Sequence, residues 1–198
     1  MKDKHIHNVY VNLGASNHTE DQRSDLDFYA TPPLAVKQLL EKQHFSSNVW
    51  EPAHGMGHIS KILEENGYNV KKSDIKDYNN EGIEIINFLS YNKKFDGDII
   101  SNPPYKSAKE FVEKALEVVN DNAHVAMFLK IQFLEGKKRY DLFKKYPPKR
   151  IYVAVNRYGC SKDGKFNENG NIGSAICYCW YIWEKGFKGN PEIFWINE

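Results

Sequence analysis

Between Asn48 and Lys130 short apolar runs alternate with amphipathic stretches, strand then helix, and few folds accept that order. Asn48–Glu51 predicts a strand that ends at a turn. Residues 57–66 predict a helix with Ile59, Ile62 and Leu63 on one face and Gly67 as its stop. Residues 68–75 and 83–88 predict the second and third strands, and 95–100 a fourth ending at Ser101. A helix over 109–119 carries the stripe Phe111, Ala115, Leu116 and Val119. His124–Lys130 is apolar enough for a central strand. A helical stretch through Tyr140 and Phe143 stops at Pro147-Pro148, and 151–155 and 175–184 predict strands six and seven. The expected class is α/β, a doubly wound, mostly parallel seven-stranded sheet with an antiparallel terminal hairpin at one edge.

Residues 1–24 are polar and aperiodic and predict a peripheral arm, leaving 25–198 as a single domain. Pro32-Pro33 leads into a helix bearing Leu34, Val36, Leu39 and Leu40. The insert 156–174, rich in Gly, Asn and Lys, predicts an exposed loop. No apolar run is long enough to span a bilayer and no signal peptide opens the chain, so a cytoplasmic protein with no membrane partner is expected. Cys160, Cys177 and Cys179 are too few and too unevenly spaced for a disulfide framework or a zinc site; His54 and His58, four apart, are read as ordinary loop residues. No metal is expected.

Ligands of an open α/β sheet bind beyond the carboxyl ends of its strands. Glu51-Pro52-Ala53-His54-Gly55-Met56-Gly57 follows the first strand, and Gly55 and Gly57 allow a tight turn close to a ligand. Asp74 ends the second strand, where a carboxylate can accept both hydroxyls of a ribose. The pair suggests a nucleoside-containing cofactor. It also begins a dinucleotide fingerprint, except that Ser60 stands where the third glycine belongs. A nicotinamide-dependent oxidoreductase therefore stays open on these residues alone.

Ser101-Asn102-Pro103-Pro104-Tyr105, after strand four, is more specific. An exocyclic amine on a base is a poor nucleophile because its lone pair is delocalised into the ring. The Asn102 side-chain oxygen and the next carbonyl can each accept one N–H of that amine. The two prolines keep the backbone extended and add no competing donor. Both bonds favour a pyramidal nitrogen whose lone pair points at a methyl donor. Tyr105 offers a ring for a base to stack on, worth about 1–3 kcal/mol.

With these residues in this order, the chain resembles the class I S-adenosylmethionine-dependent amino-methyltransferases whose Asn-Pro-Pro-Tyr motif is typical of adenine-N6 enzymes, in particular small ones encoded by phages and prophages. The similarity runs from about Gly14 onward, and cofactor motifs preceding the catalytic one resemble the γ arrangement. The resemblance implies a Rossmann-like methyltransferase fold with S-adenosyl-L-methionine as cofactor. It places Phe28, Tyr29, Thr31, Pro32, Glu51, Gly55, Gly57, Asp74, Asn87 and Phe88 at the cofactor, and Asn102, Pro103, Pro104 and Tyr105 at the reaction. Asn87 replaces the aspartate of many relatives, and nothing matches a separate target-recognition domain.

The chain carries a net charge of +1, but Lys130, Lys137, Lys138, Arg139, Lys144, Lys145, Lys149 and Arg150 outnumber Glu135 and Asp141 in their stretch. Lys137, Lys138 and Arg139 are the candidate phosphate contacts, with DNA ahead of RNA as the partner. RNA adenine, a protein glutamine amide and a non-catalytic cofactor-binding role are the alternatives.

Overall fold

The computed structural model describes residues 29–79, 81–161, 164, 166 and 176–196. The expected arm, Phe28 and most of the insert 156–174 lie outside the described residues. The helices are α1 (Pro33–Lys42), α2 (His58–Glu65), α3 (Ala108–Val118) and α4 (Lys137–Lys145). The strands are β1 (Asn48–Glu51), β2 (Asn69–Asp74), β3 (Glu84–Ile85), β4 (Asp98–Ser101), β5 (His124–Lys130), β6 (Arg150–Ala154), β7 (Tyr178–Glu184) and β8 (Glu192–Ile196).

One sheet runs in the order β3-β2-β1-β4-β5-β7-β6-β8. Strands β3 to β5 are parallel, and β7 is antiparallel to both β5 and β6. Period-two alternation gives each strand one side chain per face. Val49, Ile100, Ala126, Phe128, Trp180 and Ile182 meet Ala35, Val36 and Leu39 of α1 and Ile59, Ile62 and Leu63 of α2. Trp50, Ile99, Val125, Met127, Tyr181 and Trp183 meet Phe111, Val112, Ala115 and Leu116 of α3 and Leu142 of α4. Burial on both faces is why β5 reads as a continuous apolar run.

Three expectations need correction. The sheet has eight strands rather than seven, because Glu192–Ile196 pairs in parallel with β6. This strand is short, follows Pro191 and leaves Ile193, Phe194 and Trp195 exposed, so it shows no inside–outside alternation. The antiparallel hairpin is consequently not the edge: β7 lies between β5 and β6, and β8 forms the border. The third strand shrinks to Glu84–Ile85, because Asn87 caps a 3₁₀ turn at Phe88–Ser90 by accepting from the Leu89 N–H at 3.2 Å.

Since β2, β1 and β4 are neighbours, their carboxyl ends bring Asp74, Glu51 and Ser101 to one rim of the sheet. That rim lies where the strand order reverses, the expected crevice of a doubly wound fold. No helix among the described residues is long and apolar enough to cross a membrane.

Candidate active site

A cavity of about 250 Å³ opens on this rim. Its walls include Tyr29 and Thr31, the turn from Glu51 to Met56, Asp74, Asn87 and Phe88, and Asn102 to Tyr105. Segments remote in sequence thus converge on one space. Pro32 and Gly57 are outside the lining and act on the backbone: Pro32 precedes α1, and Gly57 starts α2 in the left-handed conformation, at φ 78°. Phe88 forms the floor, packed edge-on to Trp50 with ring centroids 5.1 Å apart.

The turn after β1 is held by its own carboxylates. Glu51 Oε2 accepts the Ser60 main-chain N–H at 2.9 Å and also the Ser60 hydroxyl, and lies 3.3 Å from His54 Nδ1. His54 Nε2 lies 3.2 Å from Glu81 Oε2. Burial lifts the Glu51 carboxyl above the usual carboxylate range, against the opposing effect of His54 and Ser60. For His54, burial disfavours the charge, but Glu51 and Glu81 together outweigh it and raise the imidazole. Asp74 takes the Gly55 N–H at 2.8 Å on Oδ2 and the Ile75 N–H at 2.7 Å on Oδ1, and burial raises its carboxyl despite these bonds.

This wiring tests the cofactor. A dinucleotide needs free N–H groups at the start of α2 for its pyrophosphate. Here the Gly55, Gly57 and Ser60 N–H groups are taken by Asp74, the His54 carbonyl and Glu51. The Glu51 carboxylate fills the anion position itself. A carboxylate already seated at the start of α2 disfavours a pyrophosphate there, and the second glutamate oxygen, free of protein partners among the described residues, suits a cationic ligand. S-adenosylmethionine meets both conditions.

Asn102 is anchored from one side only. It lines the cavity, and its Nδ2 donates to the Tyr29 carbonyl at 2.7 Å, which turns Oδ1 away from that carbonyl. Oδ1 is buried and has no partner among the described residues. Ser101 Oγ is the other such atom among the described residues, and it is outside the cavity lining. Tyr105 departs from expectation: its ring already stacks on Tyr29, centroids 5.5 Å apart at 26°, and Lys130 Nζ lies 4.5 Å from its centroid. A base that stacks on this ring competes with these two contacts. The Tyr105 hydroxyl bonds Tyr178 Oη at 3.2 Å, and burial holds its pKa well above the ordinary value.

Lys137, Lys138 and Arg139 do not line the cavity. Arg139 donates to the carbonyls of Phe133 at 2.8 Å, Gln132 at 3.2 Å and Glu135, so it braces the 3₁₀ turn Ile131–Leu134. Sequence reasoning missed the His54–Ser60–Glu81 network. Its one local signal was a serine in place of the third glycine. Glu81 comes from a loop after β2 that no spacing rule connects to β1.

The sequence matches no family model and no curated protein. In fold, the chain is similar to a candidate class I S-adenosylmethionine-dependent methyltransferase from Listeria monocytogenes, with 14% identity and TM-score 0.56 over 94% of this chain and 70% of that one. It is also similar to a candidate RNA methyltransferase from Pyrococcus horikoshii, with 15% identity and TM-score 0.58 over 90% and 96% of the two chains. A third is an S-adenosylmethionine-dependent O-methyltransferase from Thermotoga maritima, at 9% identity and TM-score 0.55, covering 79% of this chain and 66% of that one. The fold is that of the class I S-adenosylmethionine-dependent methyltransferases.

Proposed function

We propose that this protein methylates the N6 amine of adenine in DNA, with S-adenosylmethionine as donor. The observation that carries the reading is Asn102 Oδ1, a buried acceptor without a partner on the cavity wall. A buried acceptor left unpaired costs about 1–3 kcal/mol, so its retention points to a donor that arrives with the substrate. A planar NH₂ is such a donor.

S-adenosylmethionine supplies an electrophilic methyl group on a sulfonium. Glu51 would hold its amino-acid ammonium and Asp74 its ribose, and Asn87 and Phe88 would border its adenine. Asn102 Oδ1 accepts one N–H of the target amine and the Pro103 carbonyl the other, which frees the nitrogen lone pair for in-line attack. The carbon–nitrogen bond forms as the carbon–sulfur bond breaks, and the spare N6 proton leaves to solvent. Extruding the base costs a few kcal/mol, offset by stacking in the slot.

The test is methyl transfer to unmethylated DNA followed by nucleoside digestion. The wild type is expected to give N6-methyldeoxyadenosine and Asn102→Ala none. Equal yields from both would overturn the reading. Product in the ribo series, or on a glutamine amide, would move the same chemistry to another substrate.

A further inference from the structure

The adenine slot accounts for one base, and the structure offers a place for the chain beyond it. Lys130, whose ammonium lies over the Tyr105 ring, ends β5. The turn braced by Arg139 follows, and then α4 begins at Lys137. Beside α4 runs a groove lined by Leu134, Lys137, Tyr140, Phe143 and Lys144, with Pro147, Pro148 and Pro191 along its other wall.

Three properties of this groove agree. Its lining includes two lysines and no carboxylate, and Asp141, the only acid of α4, lies outside it. Neither Lys137 nor Lys144 has an ion-pair partner among the described residues, whereas Lys109, Lys114 and Lys149 all do. Between the two cations on the same helix face stands Tyr140, with 65% of its surface exposed. An exposed aromatic ring between two cations without ion-pair partners fits a ligand with flat faces and negative charge.

We propose that this groove binds an unpaired DNA strand next to the target adenine. Tyr140 stacks on a base, and Lys137 and Lys144, about 10 Å apart along the helix, neutralise successive phosphates. The inference rests on the DNA reading above and adds a surface for the strand beyond the target base. Of the basic triplet read from the sequence, it keeps Lys137 as a contact and makes Arg139 a brace.

The experiment measures binding of labelled oligo(dT) to the full chain by fluorescence anisotropy across a salt series. That probe contains no adenine and so bypasses the catalytic slot. Tyr140→Ala is expected to weaken binding about tenfold and Tyr140→Phe hardly at all. Lys137→Gln with Lys144→Gln is expected to flatten the salt slope by about 1.4. Asn102→Ala should bind as wild type. Wild-type affinity in Tyr140→Ala and in the double lysine variant would overturn the proposal. So would tighter binding of oligo(U), or displacement of oligo(dT) by poly-glutamate at equal charge. Loss of oligo(dT) binding in these variants would uphold the groove even if no N6-methyladenine were formed. Intact binding alongside active methylation would remove the groove and leave the enzyme.

Discussion

The side-chain amide of Asn102 is fastened to the main-chain carbonyl of Tyr29 across 73 residues of sequence, and this single bond decides which way the amide faces. A carbonyl can only accept, so the nitrogen of Asn102 must turn to it and the oxygen must turn away. The oxygen is left buried and unpaired among the described residues, on a residue that lines the cavity. The segment before α1 therefore orients Asn102 through its backbone, independently of which side chain stands at position 29.

Asn102→Asp is the sharpest test of that arrangement. An ionised aspartate would set an oxygen against the Tyr29 carbonyl, so the orienting bond would become a repulsion. We expect methyl transfer to fall by about 10²–10³, the usual loss for a preorganised polar contact at a reacting centre. Asn102→Ala should change stability by no more than about 1 kcal/mol, because it removes one hydrogen bond and one unsatisfied acceptor together. Single-turnover rates and thermal unfolding read the two quantities. A large loss of stability in the alanine variant would make Asn102 structural.

Asp98 predicts the opposite balance. It starts β4 and accepts the Ser46 N–H at 2.6 Å and the His124 N–H at 2.7 Å, joining three segments at the amino-terminal rim. Burial acts to raise its carboxyl, but His124 and these N–H groups prevail and lower it. A depressed folded pKa contributes stability above the unfolded value, near 4, and loses it as pH falls through the folded one. Asp98→Asn should cost about 1–3 kcal/mol at neutral pH and make unfolding less sensitive to acid. Denaturant titrations between neutral and acidic pH check both, with cofactor affinity unchanged.

The alternation of strand and helix was legible in the sequence because burial on both faces forces apolar runs at β1, β4 and β5. The placement of Asn102 to Tyr105 after β4 was legible because these residues are contiguous and chemically unusual. What escaped was contact between distant loops: Glu81 against His54, Tyr29 against Tyr105, and Lys130 over the same ring. Local pattern has no access to such pairs. The edge strand β8 escaped for a related reason, since an edge exposed on both sides has no periodicity to read.

His54 gives a pH dependence with a definite sign. Burial opposes its charge, Glu51 and Glu81 outweigh it, and the folded pKa is raised. Its contribution to stability is complete below the unfolded value, near 6.5, and is lost as pH rises through the folded one. The same proton holds Glu81 against the cofactor turn. S-adenosylmethionine affinity measured by calorimetry should therefore weaken from about pH 6.5 upward in the wild type. The slope should flatten in His54→Gln and shrink in Glu81→Gln. Parallel slopes in all three proteins would assign the pH dependence elsewhere.

Tyr29 separates backbone from side chain at one position. Its carbonyl orients Asn102, while its ring stacks on Tyr105, where the proposed reading puts a flipped base. Tyr29→Ala keeps the first and removes the second. An aromatic pair of this kind is worth about 0.5–1.5 kcal/mol, which a target base must displace before it stacks, so the variant should bind DNA roughly two- to tenfold more tightly. Its kcat should stay within a small factor of wild type, because Asn102 remains anchored. Steady-state kinetics with a saturating donor distinguish the possibilities through the split between KM and kcat. A lower KM at constant kcat identifies the ring as a competitor for the slot. A higher KM would instead make Tyr29 part of the stack that receives the base, and the covered Tyr105 ring would then be one half of a two-ring clamp.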